Sequence, residues 1–276
     1  MGRRLISYEE KDTWIHRLSG FTKLFFFLLW CVTSALTFDT RVLIVMLIAG
    51  VAIFISSKTT WKQVGGVFQA ILLFMVLNLL FIFIFSPYEG TGIYGTWTEV
   101  CKLPFGVKLT AEQLFYEFNV MLKYFTVVPS VFIFLVTTDP SEFAASLNAI
   151  GVPYSIAYSV AITLRYIPDV QDDFSRIRNA QAARGIEMGK KANIFDRIRR
   201  TANIIFPLLF STMERIDTVS NAMELRGFGK KKKRTWYAGK KLSIPDYIVI
   251  VSSLLFMIAA LLFTWMDGNR FYNPFI

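Results

Sequence analysis

Val67 to Phe85 reads VFQAILLFMVLNLLFIFIF. No residue in it is charged, and its length is close to the ~20 residues a helix needs to cross the hydrocarbon of a bilayer. The rest of the chain has the same character. Charged residues make up 18% of the 276 residues, there are 27 Phe, and the mean hydropathy is +0.46. That composition cannot be covered by a water-facing surface, so the chain is read as an all-α polytopic membrane protein.

Four further apolar runs flank this one. Leu24 to Leu36 and Val42 to Ile55 are joined by the short polar turn FDTR and read as a membrane hairpin whose arms borrow flanking residues to span. Leu114 to Val136 is the fourth span and Ile244 to Trp265 the fifth. The segment after Phe85, SPYEGTGIYGTWTEVCKLPFG, is rich in Gly, Pro and aromatics, as expected of an exposed loop at the interface. From Thr137 to Leu242 apolar residues are interleaved with charge at helical spacing, and no stretch is clean enough to span. The expected division is therefore 1–136 with four spans, 137–242 as a helical coupling domain, and 243–276 with the last span.

Charge sets the expected orientation. The net charge of +10 comes from 30 Lys and Arg against 20 Asp and Glu, and 18 of those cations lie between Thr137 and Leu242. Five more precede Leu24, 2 lie between Ser56 and Lys62, and 4 (Arg41, Lys102, Lys108, Arg270) lie on the opposite loops. The positive-inside rule puts the N-terminus and the coupling domain in the cytoplasm and the C-terminus outside, in a cell membrane. The basic run Lys230 to Arg234 then reads as a solvated anchor near the anionic leaflet, with no nucleic-acid role. The polar N-terminal 20 residues and the lack of a small-residue cleavage site after the first run argue against a cleaved signal peptide.

Two phrases in the coupling domain match: NAQAARG at Asn179 to Gly185 and NAMELRG at Asn221 to Gly227. Each closes an amphipathic helix. Val170, Phe174, Ile177 and Gln181 share one face of the first, and Met213, Ile216, Val219 and Met223 one face of the second. Arg-Gly is a good helix ending, a cation in the last turn followed by the usual left-handed cap residue. An arginine at an exposed helix tip is also a good docking group, able to engage carboxylates or carbonyls with two parallel bonds. Asp139-Pro140, Pro153 and Pro168 read as helix boundaries.

In order, TTDPSEFAASLNAIGVP, LRYIPDV, AQAARG and ELRGFG resemble the cytoplasmic part of the transmembrane T component of energy-coupling-factor (ECF) transporters over about 100 residues. The resemblance implies a bacterial membrane scaffold that joins a substrate-capturing S component to two ABC-type ATPases and powers uptake of a vitamin or other micronutrient. It assigns ATPase docking to Ala183, Arg184 and Gly185 and to Leu225, Arg226 and Gly227, with Leu225 departing from the Ala of the pattern. The stripes Val170, Phe174, Ile177, Met213, Ile216, Val219 and Met223 are expected to meet the S component and each other. Because the exits differ, IEMGKK after the first tip and FGKKKKR after the second, the two ATPases are expected to be non-identical.

This chain should not hydrolyse ATP, and no cofactor is expected on it; ATP and Mg would sit on the partners. GIEMGKK lacks the spacing and the Ser or Thr of a phosphate-binding loop, and no nucleophile elbow or metal-binding His pair occurs. His16, the only histidine, reads as an interfacial side chain, and Cys31 and Cys101 do not suggest a disulfide framework. The alternative is a self-contained secondary transporter or channel, for which Asn78, Lys123 and Glu117 are the candidate intramembrane polar groups; Asn78 equally suits interhelical bonding. A non-transporting adaptor would account for the amphipathic helices but not for paired arginine tips.

Overall fold

The computed structural model describes residues 11–102, 108–184, 194–230, 235–237, 239–266 and 270–275. They form two compact units, Met1–Asp139 with Lys240–Ile276, and Pro140–Gly239.

In the first unit a short helix α1 (Trp14–Arg17) precedes α2 (Gly20–Leu36), α3 (Thr40–Ser56) and α4 (Trp61–Phe85). A helical turn α5 (Glu89–Tyr94) and an antiparallel hairpin, β1 (Glu99–Lys102) and β2 (Lys108–Thr110), lead into α6 (Ala111–Thr137). The helix starts follow from side-chain caps. Ser19 Oγ accepts from Thr22 N–H at the head of α2, Asp39 from Arg41 N–H at α3, and Thr110 Oγ1 from Gln113 N–H at α6. The α4, α6 and final apolar helices are each long and apolar enough to cross a membrane; α2 and α3 are shorter at 17 residues each.

Helix α6 is the hub, packing on α2, α3, α4 and α5. Val64, Val128, Phe132 and Val136 form one buried cluster, and Trp30, Val42, Met46 and Ala260 another. The Trp30 indole donates to the carbonyl of Thr126 at 3.0 Å, satisfying its N–H inside the apolar core. Helix α4 packs on α6 and leaves Leu73, Phe74, Phe81 and Phe85 exposed. Such a surface is stable against hydrocarbon rather than water.

The segment after Phe85 is more than the exposed loop its composition suggests. Gly90 and Tyr94 of α5 are buried, Gly90 N–H donates to Gln113 Oε1 at 2.9 Å, and the buried Glu112 carboxylate accepts Thr98 N–H at 3.0 and 3.1 Å. The C-terminal residues complete this cap: Arg270 donates to the carbonyls of Ala35 and Leu36, and Asn273 to that of Tyr94. Polar side chains in the first turn of α6, 14 and 23 positions from the groups they bond, are what order it.

The second unit contains α7 (Pro140–Ala149), α8 (Tyr154–Ala183) and α9 (Ile194–Leu225), and α10 (Ile244–Met266) returns the chain to the first unit. Pro140 begins α7 and Pro153 caps α8, as the sequence suggests, but Pro168 lies inside α8 and is not a boundary. One lost main-chain bond is tolerated there because α8 is held by tertiary packing along both α7 and α9. His16 is buried, its Nδ1 2.6 Å from Thr13 Oγ1.

Candidate functional site

Helices α8 and α9 run antiparallel as one long hairpin. Three contacts set the register: the Tyr158 and Phe228 rings pack at a tilt with centroids 4.8 Å apart, Arg215 bonds Asp173 at 2.7 Å, and Gln181 Nε2 donates to the Asn203 carbonyl at 3.4 Å. The end of α8 thus lies beside the first half of α9, and the end of α9 beside the start of α8. At ~1.5 Å per residue, Arg184 and Arg226 stand roughly 35 Å apart, at opposite ends of the hairpin.

The second tip is an ordered cap. Phe228 N–H donates to the Met223 carbonyl at 2.9 Å and Gly227 N–H to that of Glu224 at 2.8 Å, the paired bonds of a Schellman ending. Gly227 sits at φ +70°, a conformation a side chain would strain. The same pair of bonds ends α7, where Gly151 takes φ +114°. Phe228 then packs into a cluster with Tyr154, Tyr158 and Trp236, whose indole donates to Asn148 Oδ1 at 3.1 Å. This tip is therefore fastened to α7 and α8.

At the first tip Ala183 is the last residue of α8 and Arg184 its cap, with Arg184 N–H donating to the Gln181 carbonyl at 3.1 Å. Gly185 lies outside the described residues, as do Glu187 and Lys231 to Arg234 of the two exits. Ala183, Arg184, Leu225 and Arg226 are all exposed. Neither arginine side chain makes a hydrogen bond or ion pair to another described residue. Among the described residues, then, no acceptor takes up either guanidinium group.

The apolar stripes are brought together only in part. Val170, Ile216, Val219 and Met223 line one groove of about 590 Å³ between α8 and α9. Phe174 and Ile177 are half-buried and do not line it, while Met213 stands outside it, 55% exposed. Met213 belongs instead to a ridge on α9 with Phe206, Leu209 and Phe210, all exposed. Their i, i+3, i+4, i+7 spacing is visible in the sequence and extends the Met213 stripe toward the start of α9. The Arg215 bridge to Asp173, with Asp169 at 3.9 Å and the Tyr166 ring at 5.9 Å, left no local signal, since its partners lie on different helices.

Two of the polar groups in the apolar helices, Asn78 and Lys123, hold helices together, and Glu117 bonds within its own helix. Asn78 Oδ1 accepts from Tyr124 OH at 3.1 Å, joining α4 to α6. Lys123 Nζ donates to the Ala35 carbonyl at 3.2 Å and sits 3.1 Å from the centre of the Phe38 ring, and Glu117 accepts from Gln113 at 3.0 Å.

Fold and site together define a predominantly helical integral membrane protein that carries a helical hairpin with an exposed arginine at each end. Residues 11–237 match the family described as CbiQ, cobalt transport protein, and the chain belongs to that family. It is similar to the energy-coupling factor transporter transmembrane protein EcfT of Lactococcus lactis subsp. cremoris, 25% identical over 272 residues, covering 96% of this chain and 97% of the relative. The proteins of the same name from Streptococcus thermophilus and Lacticaseibacillus paracasei are 25% and 27% identical, covering 90% and 92% of this chain and 93% and 97% of the relatives.

Proposed function

We propose that this chain is the energy-coupling T component of an ATP-driven micronutrient importer, a non-catalytic scaffold between a substrate-binding S component and two ABC ATPases. The observation that carries the reading is the pair of exposed arginine tips, without a side-chain partner among the described residues, at the opposite ends of one hairpin. Tips aimed at a single pocket would lie together, whereas tips roughly 35 Å apart on a helix rising ~1.5 Å per residue suit a partner with two docking sites. The relatives named as transmembrane proteins of energy-coupling factor transporters support it over nearly the full length.

In this reading each tip docks on one ATPase, through Ala183, Arg184 and Gly185 and through Leu225, Arg226 and Gly227. ATP and Mg belong to those partners, and this chain carries no cofactor. The α8–α9 groove with Val170, Ile216, Val219 and Met223, and the neighbouring Met213, Phe174 and Ile177, meet the S component. A rigid hairpin transmits force because its two ends cannot move independently: the aromatic cluster at Phe228 and the Arg215 bridge hold the helices in register. The unlike exits favour two non-identical ATPases, and the excess of cations between Thr137 and Leu242 favours a cytoplasmic hairpin and an external C-terminus. The test is uptake into vesicles reconstituted with the whole complex. The Arg184→Ala, Arg226→Ala double variant should abolish transport; full transport would reduce both tips to helix caps.

A further inference from the structure

The first unit holds a cavity of about 300 Å³ bounded by α2, α3, α6 and α10, with α1 across one end. Phe26, Ile53, Ile133 and Phe256 form its walls. Trp30 closes the far end, stacked on Phe256 at 5.5 Å and against Phe26 at 5.1 Å. The hydroxyls in the lining are already committed. Ser130 donates to the Val127 carbonyl, Ser252 to Val249, Ser253 to Ile250, and Thr22 to the Asp246 carboxylate. Lys23, 4% exposed, donates from Nζ to the carbonyls of Thr137 at 2.7 Å and His16 at 3.4 Å, at the α1 end.

Water entering this space would find few groups to bond, and an apolar cavity with so few polar partners stays dry. The surroundings supply another occupant. Helix α10 packs closely along α2 but only lightly on α3, and the cavity lining from α3 and α10 includes the small residues Ala49, Ser252 and Ser253 beside Ile53, Val249 and Phe256. Helix α10 is apolar enough to cross a membrane, so the medium outside this lightly packed seam is lipid chains rather than water. From Lys23 to Trp30 the depth along α2 is about 10 Å at ~1.5 Å per residue. We propose that this cavity is a binding site for one acyl chain of a bilayer phospholipid, inserted between α3 and α10 and ending against Trp30.

The experiment uses the full chain in nanodiscs containing a trace of phosphatidylcholine with a diazirine near the end of one acyl chain. After photolysis, adducts are mapped by mass spectrometry. Adducts on the Phe26–Trp30 and Ser252–Phe256 peptides should exceed those on the lipid-exposed Leu73–Phe81 face of α4 by roughly tenfold, the ratio for a preference near 1.4 kcal/mol. The Ala49→Leu, Ser253→Leu double variant, which fills the seam, should remove that excess. A second measurement needs no variant: with wild-type protein in detergent, cavity labelling should saturate as probe is added, while α4 labelling rises without limit. Equal labelling of cavity and α4, or cavity labelling that never saturates, would overturn the proposal. Labelling by a diazirine fatty acid but not by the phospholipid would overturn the phospholipid as its source.

Discussion

Arg226 and Gly227 are adjacent yet should fail in opposite ways when changed. The three bonds that end α9 run between main-chain groups, Arg226 N–H to Ala222, Gly227 N–H to Glu224 and Phe228 N–H to Met223, so none of them involves the Arg226 side chain. That side chain is exposed. Arg226→Ala should therefore change stability by no more than about 0.5 kcal/mol, as surface changes away from caps and cores usually do. If the guanidinium docks on an ATPase, its loss removes a charge-assisted contact worth roughly 2–5 kcal/mol, or about 30-fold or more in affinity. Arg226→Lys should recover little of this, because the ammonium lacks the planar fork. Gly227→Ala should do the reverse at the fold level: at φ +70° a Cβ costs about 1–2 kcal/mol and loosens the tip. The assay measures ATPase affinity for the protein in nanodiscs at fixed salt, with thermal unfolding in parallel. If Arg226→Ala bound within about threefold of wild type, a difference near 0.65 kcal/mol, the docking role would be refuted.

Four further experiments test separate parts of the account. Asp246 is 1% exposed and accepts from Ser19 N–H, Thr22 Oγ1, and Ser243 N–H and Oγ, tying the head of α2 to that of α10. Asp246→Ala orphans the buried Ser19 N–H and should cost about 2–4 kcal/mol, seen as a fall in the unfolding midpoint. Phe228→Ala should lower hydrogen-exchange protection over the last two turns of α9, with a loss of about 1–3 kcal/mol for a half-buried ring, and leave α2 and α6 unchanged. Ile216→Asp, in the α8–α9 groove, should release the S component from detergent-solubilised complexes, and so should Met213→Asp on the exposed ridge; retention in both would remove these stripes from that interface. Crosslinking from Gly185→Cys and Gly227→Cys should each capture one kind of ATPase chain, and equal capture of two differently tagged chains at both positions would exclude asymmetric docking.

The sequence by itself determined the elements. A run such as Val67 to Phe85 has no stable state in water and none in lipid except a helix, since every main-chain polar group must be bonded within it. That is why the five apolar runs correspond to five helices, α2, α3, α4, α6 and α10, whose C-terminal ends fall within one residue of those expected while α2 and α4 begin four and six residues earlier. Caps are equally local, and Arg226-Gly227 could be read as a left-handed ending because its bonds stay within six residues. Tertiary structure decided the rest. Pro168 continues a helix because neighbours hold α8, the segment after Phe85 is ordered by Glu112 and Gln113 of α6, and Met213 parts from Ile216 because only one of their faces meets α8. The placement of the two arginines at opposite ends of the hairpin is of the same kind. It follows from the pairing of Tyr158 with Phe228 and of Asp173 with Arg215, contacts between residues 42 or more positions apart, and no helical period within either segment encodes them.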